Sequence, residues 1–414
     1  MKMYESLQQQ LQLINMLEES LQLQFKKIEE TALINQARVL DAFRKLHIDE
    51  MCFAESTGYG YNDLGREKLD NLYASVFGGE AGLVRPQFVS GTHAIAASLY
   101  GILKSGDRLV SLTGSPYDTL QKALGLNSNI FGGLADLNIS YAEVDCTAGI
   151  NNIELDNVLA SPAHVVLIQR SRGYASRRSL RTEDIAEIVQ AVKERQPTAV
   201  VFVDNCYGEF VEINEPCHVG ADLCAGSLIK NPGAGIAPSG GYVVGRADLV
   251  EKVSWRLTAP GLGSELGAMG IVKRLYYQGL FLAPHQVSQA LKGMVLAAAL
   301  FAHLGFKVSP LPNDPRGDIV QAICMGEPEL LQQFCQAVQA VSPVDSYVVP
   351  QSAPMVGYQD EIIMAAGTFV QGASSELTAD APLRPPYEVY LQGGLTYEHQ
   401  KLALAEVLKR LKLF

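Results

Sequence analysis

Four short segments carry residues suited to chemistry, and they follow one another in a definite order along 414 residues. The first is Ser90-Gly91-Thr92-His93-Ala94-Ile95-Ala96. Small and polar residues lead into an apolar run, so a helix should start here. Its free N–H groups, with a glycine allowing close approach, make a place for phosphate or carboxylate. An ordinary N-cap by Ser90 or Thr92 explains the same residues. The second is Asp204, which ends the apolar run Ala199–Val203. A carboxylate at a strand's carboxyl end can serve as metal ligand, ribose anchor or partner for a ring nitrogen; an Asx turn is the plain alternative. The third is Lys230, which closes the uncharged stretch Cys224–Ile229 and precedes the glycine-rich NPGAGIAPSGG. Apolar burial lowers a lysine's pKa and frees its amine as a nucleophile. A lysine covering a strand end with its head in water needs no such role. The fourth is Arg384, stiffened by Pro382, Pro385 and Pro386. A fixed guanidinium suits bidentate capture of a carboxylate, or a structural salt bridge.

These residues need elements to hold them. The first 46 residues read as helix: Leu7, Leu11, Ile14, Leu17, Leu21 and Phe25 recur every three or four positions, and Thr31–Leu46 continues the pattern. Such a helix either packs on its own chain or forms an arm toward a second copy. From Ala54 glycine-rich loops alternate with apolar runs, Arg108–Leu112, Val165–Gln169, Ala199–Val203 and Gly241–Gly245. Helical patterns lie between them at His93–Leu103, Leu120–Ala123 and Arg181–Glu194, and the β-rich Gln87–Val89 precedes the first motif. Continuous apolar strands alternating with helices predict a mostly parallel sheet covered on both faces, with functional residues at the strands' carboxyl ends. Later come a helix at Val287–Leu304, the strand pattern Phe306–Pro310, a helix at Pro328–Val341, short strands at Tyr347–Val349 and Glu361–Met364, and a last helix at Tyr397–Leu411. The expected division is a helical arm over 1–50, a large α/β domain over 51–290 and a smaller α+β domain over 291–414.

Composition excludes several classes. Hydrophobic residues make up 48% and charged residues 19%, enough for an extensive core. A net charge of −11 argues against a general nucleic-acid binder. The longest candidate for a membrane span, Met294–Ala302, falls far short of about 20 residues. The opening MKMYESLQQQ lacks the apolar core of a signal peptide, so a cytoplasmic protein is expected. Seven cysteines without a CxxC pair argue against a disulfide framework or zinc ribbon, and no HExxH, Walker loop or GxGxxG occurs. No metal is therefore expected. The arginines at 170, 172, 177, 178 and 181 read as a solvated loop, with Arg172 in reach of a substrate carboxylate or phosphate. Cys206 reads as packing.

In combination, helix start, strand-end Asp204, Lys230 and Arg384 resemble the pyridoxal-phosphate enzymes of the aspartate-aminotransferase fold. The segments STGYGYNDLGR, SGTHAI, LTGSPYDTL, VDNCYGEF, GSLIKNPGAGIAPSGGYVVG and RPPYEVYLQGGLTYEH narrow this. They resemble the aluminium-resistance protein family, relatives of cystathionine β-lyase and methionine γ-lyase, from about residue 40 onward. The resemblance implies a three-layer α/β/α fold with pyridoxal 5'-phosphate as cofactor. It implies that Lys230 carries the cofactor and moves the α-proton, that Asp204 pairs with the ring nitrogen, and that Gly91, Thr92, His93 and Ser227 lie at the phosphate. Better-known lyases place the phosphate hydroxyl two residues before the lysine, where this chain has Leu228. By the same resemblance Tyr117 stacks on the ring, Tyr207 donates to the cofactor's phenolic oxygen, and Arg384, with Arg172, takes the substrate carboxylate. Tyr59 and Tyr61, with Arg66 as a weaker candidate, match a region that reaches a neighbouring subunit's phosphate, implying a dimer at least and a tetramer by analogy. The implied reaction is β- or γ-elimination from a sulfur amino acid. Transamination, aldol cleavage and racemisation use the same groups, and a non-catalytic cofactor-binding protein is the rival from another class.

Overall fold

The computed structural model describes residues 2–127, 130–355 and 358–413. The opening helical pattern forms three segments, α1 (Lys2–Ser6), α2 (Gln8–Ser20) and α3 (Gln22–Lys45), interrupted at Leu7 and Leu21. Leu7, Leu11, Ile14, Leu21 and Phe25 are all buried, in one cluster with residues of the C-terminal region. The apolar stripe is thus spent on packing within the chain, as an amphipathic helix requires.

A seven-stranded sheet follows: β1 (Ala81–Arg85), β2 (Arg108–Ser111), β3 (Ser140–Glu143), β4 (Val165–Gln169), β5 (Val200–Asp204), β6 (Leu223–Ser227) and β7 (Gly241–Gly245). Its spatial order is β1-β7-β6-β5-β4-β2-β3. The neighbours from β3 to β6 are parallel, while β7 runs antiparallel to both β6 and β1. The fully buried strands β4 to β7 are the continuous apolar runs that parallel packing demands. Helices α4 (Leu64–Phe77), α5 (Gly91–Ile102), α6 (Asp118–Leu124), α7 (Asn152–Val158), α8 (Thr182–Arg195) and α9 (Ala247–Leu257) belong to this part of the chain. Two apolar clusters line its two faces, one with Leu69, Ile188 and Leu280, the other with Ile95, Leu99 and Val253. The architecture is the three-layer α/β arrangement expected.

The 31-residue helix α10 (Lys273–His303) joins this sheet to a second one. It starts earlier than the sequence pattern suggested and carries Pro284 in its interior. Burial of most of its length offsets the single backbone hydrogen bond a proline removes. The five-stranded antiparallel sheet has the order β10-β11-β12-β9-β8, from β8 (Lys307–Ser309), β9 (Val320–Cys324), β10 (Ile362–Ala365), β11 (Thr378–Pro382) and β12 (Glu388–Gln392). Helices α11 (Pro328–Ala340) and α12 (Tyr397–Arg410) cover it.

Two expected strands are absent. Gln87–Val89 is a turn and bend, because Pro86 ends β1 by removing a ladder donor. Tyr347–Val349 lies exposed, with Tyr347 84% accessible, and has no strand beside it. Among the described residues no helix is long and apolar enough to cross a membrane, and no cluster of His, Cys, Asp and Glu could hold a metal ion.

Candidate active site

The chemistry-bearing residues gather where β4, β5 and β6 end. Asp204 is the last residue of β5, in register with Gln169 of β4 and Ala225 of β6. It is 3% exposed, and one of its oxygens accepts the Cys206 N–H at 3.1 Å. Burial raises its pKa and the nearby Lys230 pulls it back down. Lys230 stands just beyond β6, with Nζ 3.8 Å from the centre of the Tyr207 ring. Among the described residues this amine forms no ion pair. Burial works against its charged form, but Cys206, Tyr207 and Asp204 outweigh that and hold it above the ordinary lysine range. The expectation that an apolar setting would lower its pKa is corrected: the surroundings are buried but acidic.

Tyr207 has φ +70°, an uncommon conformation outside glycine, which points to a functional constraint on its ring. Its hydroxyl accepts from Ser374 Oγ at 3.0 Å, which ties the end of β5 to a loop of the second sheet.

Helix α5 begins beside this pair. Ser90 is its N-cap, and Oγ accepts the His93 N–H at 3.1 Å. A Cβ on Gly91 would lie 2.9 Å from Ser227 Cβ, so only glycine lets the helix start press onto the end of β6. Thr92 Oγ1 lies 3.0 Å from the Tyr117 hydroxyl, and the Tyr117 N–H donates to Gln169 Oε1 at 2.9 Å. The arrangement provides free helix N–H groups for a phosphate, a buried carboxylate for a basic ring nitrogen and an amine for an aldehyde.

One cavity of about 520 Å³ brings together Gly91, Thr92, Tyr117, Asp204, Tyr207, Ser227, Lys230, Arg172 and Arg384. Arg384 sits at its mouth, donating to Asp360 Oδ2 and to the Tyr174 carbonyl, each at 2.9 Å. Four of the sequence candidates lie outside the cavity lining. His93 Nδ1 accepts the Val89 N–H at 3.2 Å, and burial lowers its pKa. Tyr59 and Tyr61 stack on each other at 5.4 Å and are 69% and 60% exposed. Arg66 is buried against the carbonyls of Gly60, Glu265 and Gly267, which fastens the loop bearing those tyrosines.

The arginine-rich stretch after β4 is a solvated loop only in part: Arg178 is exposed and Arg181 half-buried, whereas Arg170 and Arg172 are buried. Arg170 is fully buried between Glu212, Glu215 and Asn205, and Arg172 is 1% exposed. Residues distant in sequence supply the partners, so no local pattern announces them. Gln169, Asp118, Tyr174, Arg177 and Tyr358 also line the cavity and escaped the sequence reading, as did Cys206, which had been read as packing alone. Behind the cavity, Asp380 accepts from the Tyr174 hydroxyl at 2.8 Å and from Gln392 at 2.7 Å; burial pushes its pKa up to about 6.

Comparison with known proteins adds to the geometry. The family model for methionine gamma-lyase matches residues 10–412. The chain is 51% identical over 390 residues to the uncharacterized protein YnbB of Bacillus subtilis (strain 168), covering 93% of this chain and 92% of that one. It is 45% identical to the solved structure of a carbon-sulfur lyase involved in aluminum resistance from Clostridium novyi NT, with a TM-score of 0.94 over 99% of this chain and 98% of that one. The pyridoxal-5'-phosphate dependent protein YhfS from Escherichia coli, 17% identical, shares the fold with a TM-score of 0.63 over 92% of this chain and 97% of its own.

Proposed function

The chain belongs to the methionine gamma-lyase family, and from that premise we propose that its cavity cleaves a carbon–sulfur bond of an amino acid by β- or γ-elimination, with pyridoxal 5'-phosphate as cofactor. The observation that carries the reading is that the buried Asp204 and the half-buried Lys230 line one cavity with the start of α5. Pyridoxal phosphate, when bound, supplies an electron sink for the charge that develops at the substrate's α-carbon. Asp204 holds a proton on the ring nitrogen, and its burial strengthens that interaction. Gly91, Thr92 and Ser227 would hold the phosphate, and Tyr117, tethered through Thr92, would offer its aromatic ring to the cofactor. Arg384 and Arg172 draw the substrate carboxylate into the cavity. The Lys230 amine takes the α-proton and returns a proton at the end of the cycle. Tyr207 beneath it fixes the direction from which it acts.

The enzyme is read as a homo-oligomer of at least two copies, and four by resemblance to related lyases. Support comes from the Tyr59–Tyr61 stack, whose two rings are largely exposed. A cytoplasmic setting accords with seven free cysteines. The experiment is incubation of the holoenzyme with cystathionine, cysteine and methionine. Release of ammonia with pyruvate or 2-oxobutyrate is expected from at least one. Transfer of the amino group to a keto-acid acceptor without ammonia would replace elimination by transamination.

A further inference from the structure

Arg384, at the mouth of the cavity, already holds a carboxylate of its own chain. Its Nη1 donates to Asp360 Oδ2 and its Nη2 to the Tyr174 carbonyl, each at 2.9 Å. The Arg384 and Asp360 side chains are 44% and 36% exposed, so the pair stands partly in water and is not sealed in the core. Tyr358, two residues before Asp360, stacks on the Tyr174 ring with centroids 5.7 Å apart. The segment bearing Asp360 therefore rests on the same residue whose carbonyl holds the other end of the guanidinium. A second carboxylate is close by: Asp118, at the start of α6, also lines the cavity. Burial raises its pKa, Arg384 works against that rise and Asp360 adds to it. One guanidinium thus serves two carboxylates.

A pair this open adds little to stability. What it changes is the state in which an incoming carboxylate meets Arg384. A guanidinium binds a carboxylate best through two parallel N–H groups, and Asp360 already engages one of the terminal nitrogens. A substrate carboxylate that joined without displacing Asp360 would bring a third negative charge to a single positive one.

We infer that Asp360 is a stand-in for the substrate's α-carboxylate, which holds Arg384 and has to release it before substrate is bound. This rests on the lyase reading for the role of Arg384 as carboxylate receptor, whichever bond is then broken. A binding group that is engaged elsewhere for part of the time lowers the apparent affinity by the fraction that is free. Exposed ion pairs hold their partners by a factor of up to about five, which sets the size of the effect. Asp360 therefore governs substrate affinity without touching the reacting atoms.

The test uses the holoenzyme and two probes, glycine, which carries the α-carboxylate, and glycinamide, which has the same amine and no carboxylate. Asp360→Asn should lower the dissociation constant for glycine about two- to fivefold, read by isothermal titration calorimetry, and should not lower that for glycinamide. Asp360→Ser should do the same, and covers the case in which asparagine keeps a hydrogen bond to Arg384. In an Arg384→Gln background the gain from Asp360→Asn should vanish. Unchanged or weaker glycine binding in both variants would overturn the inference. So would an equal gain for the two probes, or a gain that persists without Arg384. None of these results requires turnover: absence of elimination from every thioether would refute the lyase reading, and the binding of the two probes would still decide the role of Asp360.

Discussion

Replacing Asp204 by Asn isolates one charge at the centre of the cavity. Asp204 closes β5, is 3% exposed and accepts the Cys206 N–H at 3.1 Å. Asparagine keeps the volume and an acceptor for that N–H, so the end of β5 and the fold should survive. What disappears is the negative charge near Lys230 that, on the proposed reading, would hold a proton on the ring nitrogen. Removing one partner of a buried charge pair is worth about 3–5 kcal/mol. At about 1.4 kcal/mol per factor of ten, this predicts a fall in kcat/KM of roughly 10²- to 10⁴-fold. The assay is release of 2-oxo acid from a thioether amino acid, coupled to a dehydrogenase, at matched cofactor content. A fall of less than about fivefold, with full cofactor occupancy, would show that the Asp204 charge does not support the reaction.

Three further outcomes follow from particular contacts. Gly91→Ala would push a methyl group to within 2.9 Å of Ser227 Cβ; the dissociation constant for pyridoxal phosphate should rise about tenfold or more, read by absorbance titration. Glu209 is fully buried, accepts the Tyr242 hydroxyl at 2.9 Å, and burial pushes its pKa up to about 8. Its folded pKa lies above its unfolded one, so the folded chain binds the extra proton. Stability on this account is full below the ordinary carboxyl range and declines as pH rises toward 8. Glu209→Gln should flatten that decline in melting temperature between pH 5 and 8, which fails if the two curves run parallel. Tyr59→Ala should leave the melting temperature of the apo chain within a few degrees, because the side chain is 69% exposed. It should nevertheless weaken cofactor retention, measured by gel filtration, if a second copy uses this tyrosine.

The pieces legible in the sequence were those with local causes. Val200–Asp204 is a continuous buried strand, and its apolar run alone placed Asp204 at a strand's carboxyl end; Leu223–Ser227, the strand that leads to Lys230, was not among the strands read from the sequence. Ser90 and Gly91 announced a helix start through cap chemistry that involves only a few neighbours. What stayed hidden depends on contacts between distant segments. Arg170 and Arg177 look like a charged loop until Glu215 and the strand-end carbonyls are folded around them. Tyr358, Ser374 and Asp380 reach the cavity region only because the second sheet docks on the first. The lysine's surroundings were misjudged for the same reason: Cys224–Ile229 is uncharged in sequence, yet Asp204, Cys206 and Tyr207 close around the amine in space.

The central claim is that Lys230 carries the cofactor and performs the proton transfer. It is tested most directly by borohydride reduction of the holoenzyme, followed by peptide mass mapping. The expected result is a single phosphopyridoxyl group on Lys230, absent from Lys230→Ala, with elimination lost in that variant. A label on any other lysine, or elimination that persists without Lys230, would contradict it.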